Sequence, residues 1–423
     1  MSSGLSVVEI CAGAGGQSLG LHRAGFHHSL AVELDASAAA TLRHNLSRMS
    51  GSEPDVRVGD VADRSVWEPH AFAGVDLLAG GVPCPPFSIA GKQLGSADER
   101  DLFAWAVEQV SVIKPRAVLL ENVRGLAAPR FSAYRQAVAD RLSELGYWSE
   151  WRLLHANDFG VVQLRPRFVL IAMKEDDARH FEWPTPDPTE LTVGIVLRDL
   201  MASNGWRYAD RWAEAANRIA PTIVGGSKKH GGADLGPTRA KRAWAELMVD
   251  GKGVADEAPG RSDPSFRTRM PRLTNEMVAR LQGWGGVGYE WDFVGRKTSV
   301  YRQIGNAFPP PVAEAVGASV AAALNRQSAA REVGNARDHD ELYALLRSAH
   351  GPLHESDILA AIPLNSAGLT VRLDRLAKDF DVAVLGAAGD RLIELGQFRA
   401  FRGQEEHLRH EAFAVRTSRA RVS

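Results

Sequence analysis

The chain has 423 residues, 45% hydrophobic and 24% charged, with a formal net charge of −1 and only two cysteines. That length predicts two or three domains, and no apolar run reaches the ~20 residues needed to span a bilayer. Two cysteines exclude a disulfide scaffold, and the near-neutral balance confines any nucleic-acid surface to a local patch.

The amino terminus enters a strand at once, without a basic segment, a hydrophobic stretch or a cleavage site, which predicts a mature cytoplasmic protein. Through the first part of the chain, short β-branched runs alternate with helical patterns, the sign of βαβ units on a parallel sheet. The expected strands are Ser6–Ile10, Ser29–Glu33, Val75–Ala79, Ala117–Glu121 and Phe168–Met173, with helices such as Ala36–Ser47 and Asp101–Ile113 between them. After Met173 comes a proline-rich connector, Glu182–Glu190, and then a stretch to about Gly260 with little periodicity. Helical pattern returns from Pro271 and ends in an alanine-rich helix, Pro311–Leu324. Asp338–Gly396 reads helix–helix–strand–strand, and a basic tail follows at Arg416–Arg421.

The first strand empties into CAGAGGQS, where Gly13, Gly15 and Gly16 let the backbone approach a ligand at the carboxyl edge of the sheet. Ser18 stands where a dinucleotide fingerprint would place its third glycine, and a tight structural turn would use the same residues. Glu33 ends the second strand, where a carboxylate can accept both hydroxyls of a ribose. Asp60 follows a third strand and suits the exocyclic amine of an adenine. Two acids without a Gly-Lys-Ser/Thr phosphate loop point to a nucleoside cofactor that lacks phosphates, which S-adenosylmethionine satisfies; helix capping is the alternative role for both.

Cys84 lies between Pro83 and Pro85 on a loop after a hydrophobic strand, where exposure and deprotonation are plausible for a thiol. A second strand ends in Glu121-Asn122-Val123, and Arg165 and Arg167 alternate on the way into a third. Thiol, carboxylate and guanidinium are what methylation of cytosine carbon 5 requires. A thiolate adds to carbon 6, which makes carbon 5 able to attack a sulfonium methyl. Glu121, protonated, would hydrogen-bond ring nitrogen 3 and the exocyclic amine, and Arg165 or Arg167 would hold the base carbonyl. No metal is called for. In a duplex the base must be flipped out to be reached.

With these residues on the page, the chain resembles the bacterial DNA (cytosine-5) methyltransferases. The family's motifs occur in order as EICAGAGG, VELD, GDV, GVPCPPFS, ENV, QLRPR, PRLTNEMVARLQGW and YRQIGNAFPPPVAEAVG. The resemblance implies an α/β fold: a Rossmann-like class I methyltransferase sheet with helices on both faces and a smaller target-recognition domain. It implies residues 1–175 as the S-adenosylmethionine-binding catalytic domain, 176–270 as the target-recognition domain and 271–327 as the returning catalytic segment. Residues 338–423 fall outside the shared motifs and read as a C-terminal α+β, winged-helix-like extension, with DNA contact, assembly or packing on the catalytic domain as its alternative roles. By resemblance, Ala12, Gly13, Gly15, Gly16, Glu33, Leu34, Asp60, Val61, Pro83 and Asn306 line the cofactor pocket. Arg280-Leu281-Gln282 matches the helix that organises target recognition, and Ser88 and Arg100 fall in the loop that closes over flipped DNA. Pro85 replaces the family's usual glutamine, Cys11 its usual phenylalanine, and Glu9 its commoner aspartate.

Thr222, Lys228, Lys229, Arg239 and Arg242 are the candidate DNA contacts, basic groups attracting phosphate while polar ones read base edges. The same 176–270 stretch also holds Trp206, Trp212 and Trp244. The resemblance implies methyl transfer to a specific duplex DNA sequence, with a cognate restriction endonuclease acting on the same site as partner, and a monomer with no membrane association. Methylation of tRNA and a solitary regulatory DNA methyltransferase are the alternatives; the tRNA branch's Cys-Phe-Thr tripeptide does not occur in the chain.

Overall fold

The computed structural model describes residues 4–83, 100–188, 190–225, 233–334, 340–349 and 351–398. Its first part comprises β1 (Leu5–Ile10), α1 (Gly16–Arg23), β2 (Phe26–Glu33), α2 (Ala36–Ser50), β3 (Val56–Val58), β4 (Leu77–Gly80), α3 (Arg100–Ile113), β5 (Ala117–Val123), α4 (Ser132–Glu144), β6 (Tyr147–His155), β7 (Pro166–Lys174) and α5 (Glu175–Ala178). The strands form one seven-stranded sheet in the order β3-β2-β1-β4-β5-β7-β6. The core of β1, β4 and β5 is buried on both faces, which is why these strands read as continuous apolar runs rather than alternating ones. One face packs on α3 and α4 through Phe103, Val107 and Val138; the other packs on α1, α5 and α11 (Pro310–Leu324) through Leu21, Ala178 and Val316.

The expectation of a parallel sheet needs correction. β7 lies between β5 and β6 and runs antiparallel to both. Residues 156–165, which join β6 to β7, are fewer than the roughly dozen needed for a parallel crossover, so the chain must reverse direction. β7 also begins at Pro166, the first position of a strand, where a missing N–H is tolerated.

The stretch expected to show little regular structure instead folds around its tryptophans. α6 (Val193–Ala202), α7 (Ala209–Ala215) and α8 (Thr238–Ala245) surround Trp206, Trp212 and Trp244, all buried. The Trp206 and Trp212 indoles donate to the carbonyls of Pro264 at 3.2 Å and Met248 at 3.1 Å. These rings are therefore core and do not face DNA. α9 (Asn275–Leu281), α10 (Lys297–Asn306) and α11 return to the sheet. Among the described residues, Lys297–Leu324 is the one helical run apolar and long enough to cross a bilayer. It is interrupted between Asn306 and Pro310, and its α11 half packs along α1, as a core element does.

The C-terminal part holds more elements than the four expected: α12 (Glu341–Ser348), β8 (Leu353–His354), α13 (Glu355–Ala361), α14 (Ser366–Leu376), β9 (Phe380–Leu385) and β10 (Leu392–Phe398). Its sheet has the order β8-β10-β9, so the two-residue β8, too short for a pattern to show, closes a winged-helix-like α+β unit. A buried ion pair staples it: Arg391 Nε donates to Glu355 Oε2 at 2.7 Å and Nη2 to Oε1 at 2.8 Å. The unit sits on α4, where the Tyr343 hydroxyl donates to Asp140 at 2.8 Å and the Tyr134 and Phe398 rings lie 5.3 Å apart. Arg416–Arg421 lie outside the described residues.

Candidate active site

The chain moves outward from β1 to β3 and then crosses to β4 on the other side, so strand order reverses between β1 and β4. In open α/β sheets the crevice at such a switch point, at the carboxyl ends of the strands, holds the ligand. Here β1 ends in the glycine turn, β4 in Gly81-Val82-Pro83 and β5 in Glu121-Asn122, while antiparallel β7 begins at the same edge with Pro166 and Arg167.

Under the turn, packing explains two glycines and open space a third. A Cβ on Gly16 would lie 2.2 Å from the Phe308 carbonyl oxygen, and one on Gly15 would lie 2.4 Å from the Trp291 ring. Gly13, at φ +59°, faces nothing within 4 Å, so the backbone there is open to a ligand. Glu33 braces the turn, Oε2 accepting from the Gly13 amide and Oε1 from the Asp35 amide, both at 2.8 Å. Burial raises the pKa of Glu33, against those two hydrogen bonds, which lower it. Helix capping falls to Asp35 at the start of α2, not to Glu33. Asp60 accepts from the Ala62 amide at 3.0 Å, Val61 is buried, and Leu34 and Pro83 are exposed toward solvent. Ala12 is buried and bonded to the Val32 carbonyl at 3.1 Å. Gln17, only 3% exposed on the first turn of α1, has no partner among the described residues for either side-chain polar atom. An open glycine turn, flanking carboxylates and an orphaned amide fit S-adenosylmethionine, whose amino-acid end can use that amide and whose lack of phosphate suits the acids.

On the other side of β1, the carboxylate of Glu121 lies where β4 leaves the sheet. A Cβ on Gly81 would stand 3.5 Å from Glu121 Oε2, and Asn122 Nδ2 donates to the Val82 carbonyl at 2.9 Å. The end of β5 thus holds the root of the loop that carries Cys84. Cys84 and Ser88 lie outside the described residues, and Arg100 opens α3. Glu121 and Arg167 are each 7% exposed and form an ion pair. Burial raises the pKa of Glu121; the guanidinium groups of Arg167 and Arg165 oppose this and burial is the larger effect.

The two arginines of QLRPR have different surroundings. Arg165 donates to three backbone carbonyls: Ile223 at 2.7 Å, Gly305 at 2.6 Å and Ala307 at 2.9 Å. It fastens β7 to the segment before α8 and to the turn after α10, whereas Arg167 is the one that meets Glu121. Gln163 and Gln282, which sequence reasoning did not assign to the site, extend this fastening. Gln163 Oε1 accepts from the Ile223 amide at 2.9 Å, and Gln282 Nε2 donates to the carbonyls of Ile304 and Ala307. Asn306 is exposed at the end of α10, its side chain against Gly225, beside the Ala307–Phe308 turn that covers Gly16. Trp291, whose indole donates to the Ala14 carbonyl at 2.9 Å, was also missed; no local pattern marks it.

Replacing Arg165 by methionine should strand three carbonyls at roughly 1 kcal/mol or more each, about 3 kcal/mol in all. Denaturant unfolding should show the midpoint moved down accordingly. An unmoved midpoint would mean that these carbonyls do not depend on Arg165.

Of the DNA candidates, Arg239 and Arg242 are exposed on α8, and the Thr222 hydroxyl donates to the Leu164 carbonyl at the edge of β7. Lys228 and Lys229 lie outside the described residues.

The model of the C-5 cytosine-specific DNA methylase family matches residues 5–322. Type II methyltransferase M.NaeI of Lentzea aerocolonigenes is 59% identical over 412 residues, 97% of either chain. Type II methyltransferase M.NgoMIV of Neisseria gonorrhoeae is 47% identical over 76% of this chain and 98% of its own. A solved DNMT2 from Spodoptera frugiperda shares the fold at a TM-score of 0.51 and 16% identity, covering 73% of this chain and 97% of that one. The chain therefore belongs to the C-5 cytosine-specific DNA methylase family, whose members transfer a methyl group from S-adenosylmethionine to carbon 5 of cytosine in DNA.

Proposed function

We propose that transfer proceeds through a covalent adduct of Cys84 with a cytosine flipped out of a specific duplex sequence. The observation that carries this reading is the buried Glu121–Arg167 pair beside Gly81, three residues before Cys84. When bound, S-adenosylmethionine supplies an electrophilic methyl group. The Cys84 thiolate adds to carbon 6 while protonated Glu121 gives its proton to ring nitrogen 3, so that carbon 5 becomes an enamine carbon able to attack that methyl. Water then takes the carbon 5 proton, the thiolate is expelled, and ring nitrogen 3 returns its proton to Glu121 as the product is released.

Within this reading Arg167 holds the base carbonyl oxygen, being the arginine at Glu121. Arg165 is a positioning residue, its donors engaged by backbone. Gly13, Gly15, Gly16, Glu33 and Asp60 hold the cofactor, and Asn306 closes the same pocket. Residues 1–175 and 271–327 form the catalytic domain and 176–270 read the target through Thr222, Arg239, Arg242 and the Lys228–Lys229 pair. Residues 338–423 are an extension beyond the catalytic requirement. M.NaeI aligns with 97% of this chain, M.NgoMIV aligns over 98% of its own length with only 76% of it, and the family match ends at residue 322, which supports that division.

The protein acts as a cytoplasmic monomer that protects DNA from an endonuclease cutting the same site; the Type II names of its relatives support this role. Bisulfite sequencing of plasmid DNA treated with the purified protein tests it. One recurrent methylated cytosine context is expected, and that same DNA should resist a single restriction endonuclease specificity. Scattered methylation without a shared context would overturn the reading.

A further inference from the structure

Residues 220–225 bring the chain from α7 to the sheet edge beside Arg165, and they are registered there bond by bond. The Ala220 amide donates to the Val162 carbonyl at 3.1 Å, and the Leu164 amide donates to the Ala220 carbonyl at 2.8 Å. Gly225 then meets α10 without room for a side chain on either partner. A Cβ on Gly305 would stand 2.4 Å from Gly225 Cα, and one on Gly225 would stand 2.3 Å from Asn306 Oδ1.

Four residues before Gly305, and so on the same face of α10, Tyr301 is buried. Its hydroxyl donates to the carbonyl of Asp234 at 2.5 Å and to that of Val224 at 3.1 Å. A phenol has one proton, so the two carbonyls share it and are drawn to the same point. Burial raises the pKa of this phenol, which keeps it a donor.

Asp234 leads into α8. Its Oδ1 accepts from the Gly236 amide at 3.0 Å and its Oδ2 from Lys241 Nζ at 2.7 Å. Gly236, at φ +114°, turns the chain into the helix in a conformation that glycine adopts freely. Arg239 and Arg242 stand exposed on α8. The other side of α10 is fixed to the catalytic frame: Gln303 Oε1 accepts from Thr41 Oγ1 of α2 at 2.7 Å, and its Nε2 donates to the Val294 carbonyl at 2.9 Å. Tyr301 thus ties both the segment at Arg165 and the start of α8 to a helix that the catalytic frame holds in place.

We propose that Tyr301 is a positioning residue for DNA recognition: through the carbonyls of Val224 and Asp234 it sets α8, and with it Arg239 and Arg242, in register with the crevice where the methyl group is transferred. This rests on the reading that residues 176–270 meet the target through α8. Packing alone needs the tyrosine ring, whereas registration needs the hydroxyl, so Tyr301→Phe separates the two.

The test is steady-state methyl transfer by the full chain to a duplex carrying the mapped site, for the parent, Tyr301→Phe, Arg239→Gln/Arg242→Gln and the triple variant. Tyr301→Phe should raise KM for the duplex by roughly three- to tenfold, the factor that one net hydrogen bond carries. Its kcat should stay within about twofold of the parent, and its S-adenosylmethionine affinity by calorimetry should match the parent. The triple variant should show the KM of the double variant, because the hydroxyl acts through those arginines. A parental KM in Tyr301→Phe, a fall in kcat with KM unchanged, or the full rise repeated in the triple variant would overturn the proposal. A parental KM in Arg239→Gln/Arg242→Gln would instead remove the underlying reading of α8, and the proposal with it.

Discussion

Cys84→Ser is expected to lower methyl transfer to duplex DNA by on the order of 10⁴-fold while leaving S-adenosylmethionine binding intact. The reason is acidity. A thiol ionises within reach of neutral pH, and the positive charge of Arg165 and Arg167 near the crevice favours its anion; a serine hydroxyl does not ionise there. Carbon 6 of cytosine is a weak electrophile, so without an anionic nucleophile carbon 5 never acquires the electron density to take the methyl group. The measurement is single-turnover transfer of labelled methyl to a duplex carrying the mapped site. A serine variant within a few-fold of the parent would remove the covalent route.

The second large effect is at the carboxylate. Glu121→Gln should reduce kcat by roughly 10²- to 10⁴-fold, since an amide can hydrogen-bond the ring but cannot surrender a proton to nitrogen 3. The pH dependence follows from the direction of the shift. Burial raises the pKa of Glu121 above that of a free carboxyl, so the protonated donor persists to higher pH than an exposed glutamate would allow. Activity dependent on it should fall as pH rises through that raised value, and this alkaline limb should be missing from the glutamine variant's residual activity. Stability has the same sign. A group whose folded pKa is raised contributes stability that is full below the unfolded pKa and lost as pH rises through the folded one. The glutamine variant should therefore lose less stability than the parent over that window. Identical pH profiles for parent and variant would show that Glu121 does not titrate in the reaction.

Much of the site is local and was readable for that reason. The glycine turn, Glu33, Asp60 and Glu121 each stand at the end of a strand, and a strand end is marked by its neighbours in sequence: an apolar run, then a small or acidic residue. The sheet order brings those ends together by a general rule of α/β folds, so side by side placement needed no distant information. What was not readable depends on partners remote in the chain. Arg165 and Arg167 are two residues apart and chemically identical; only the carbonyls of Ile223, Gly305 and Ala307 separate their roles. Trp291 packs under Gly15 from a segment far along the chain. β7 could not be oriented from its pattern, because a strand buried on both faces looks alike in either direction. The tryptophans of residues 190–270 are buried by helices of seven to ten residues, whose apolar faces are too short to leave a clear periodicity.

The departures from the family pattern are partly explained. Cys11 takes φ +51° where β1 enters the glycine turn, and its carbonyl, like the Glu121 carboxylate, lies close to Gly81. Trp291 supplies an aromatic ring on this side of the turn, packed against Gly15. Glu9 is buried beneath the turn, accepting from Ser18 Oγ at 2.7 Å and lying 2.8 Å from His28 Nε2, so the longer acid reaches two partners.

The central claim is the covalent adduct at Cys84, and the chain offers only one other thiol, Cys11. Incubating the protein and S-adenosylmethionine with a duplex bearing 5-fluorocytosine at the mapped position, where carbon 5 holds no proton to lose, should arrest the reaction after addition and methyl transfer, before elimination. Peptide mass spectrometry is then expected to place the methylated DNA strand on Cys84, with no adduct in Cys84→Ser. An adduct on Cys11, or none while ordinary DNA is methylated at full rate, would contradict the account.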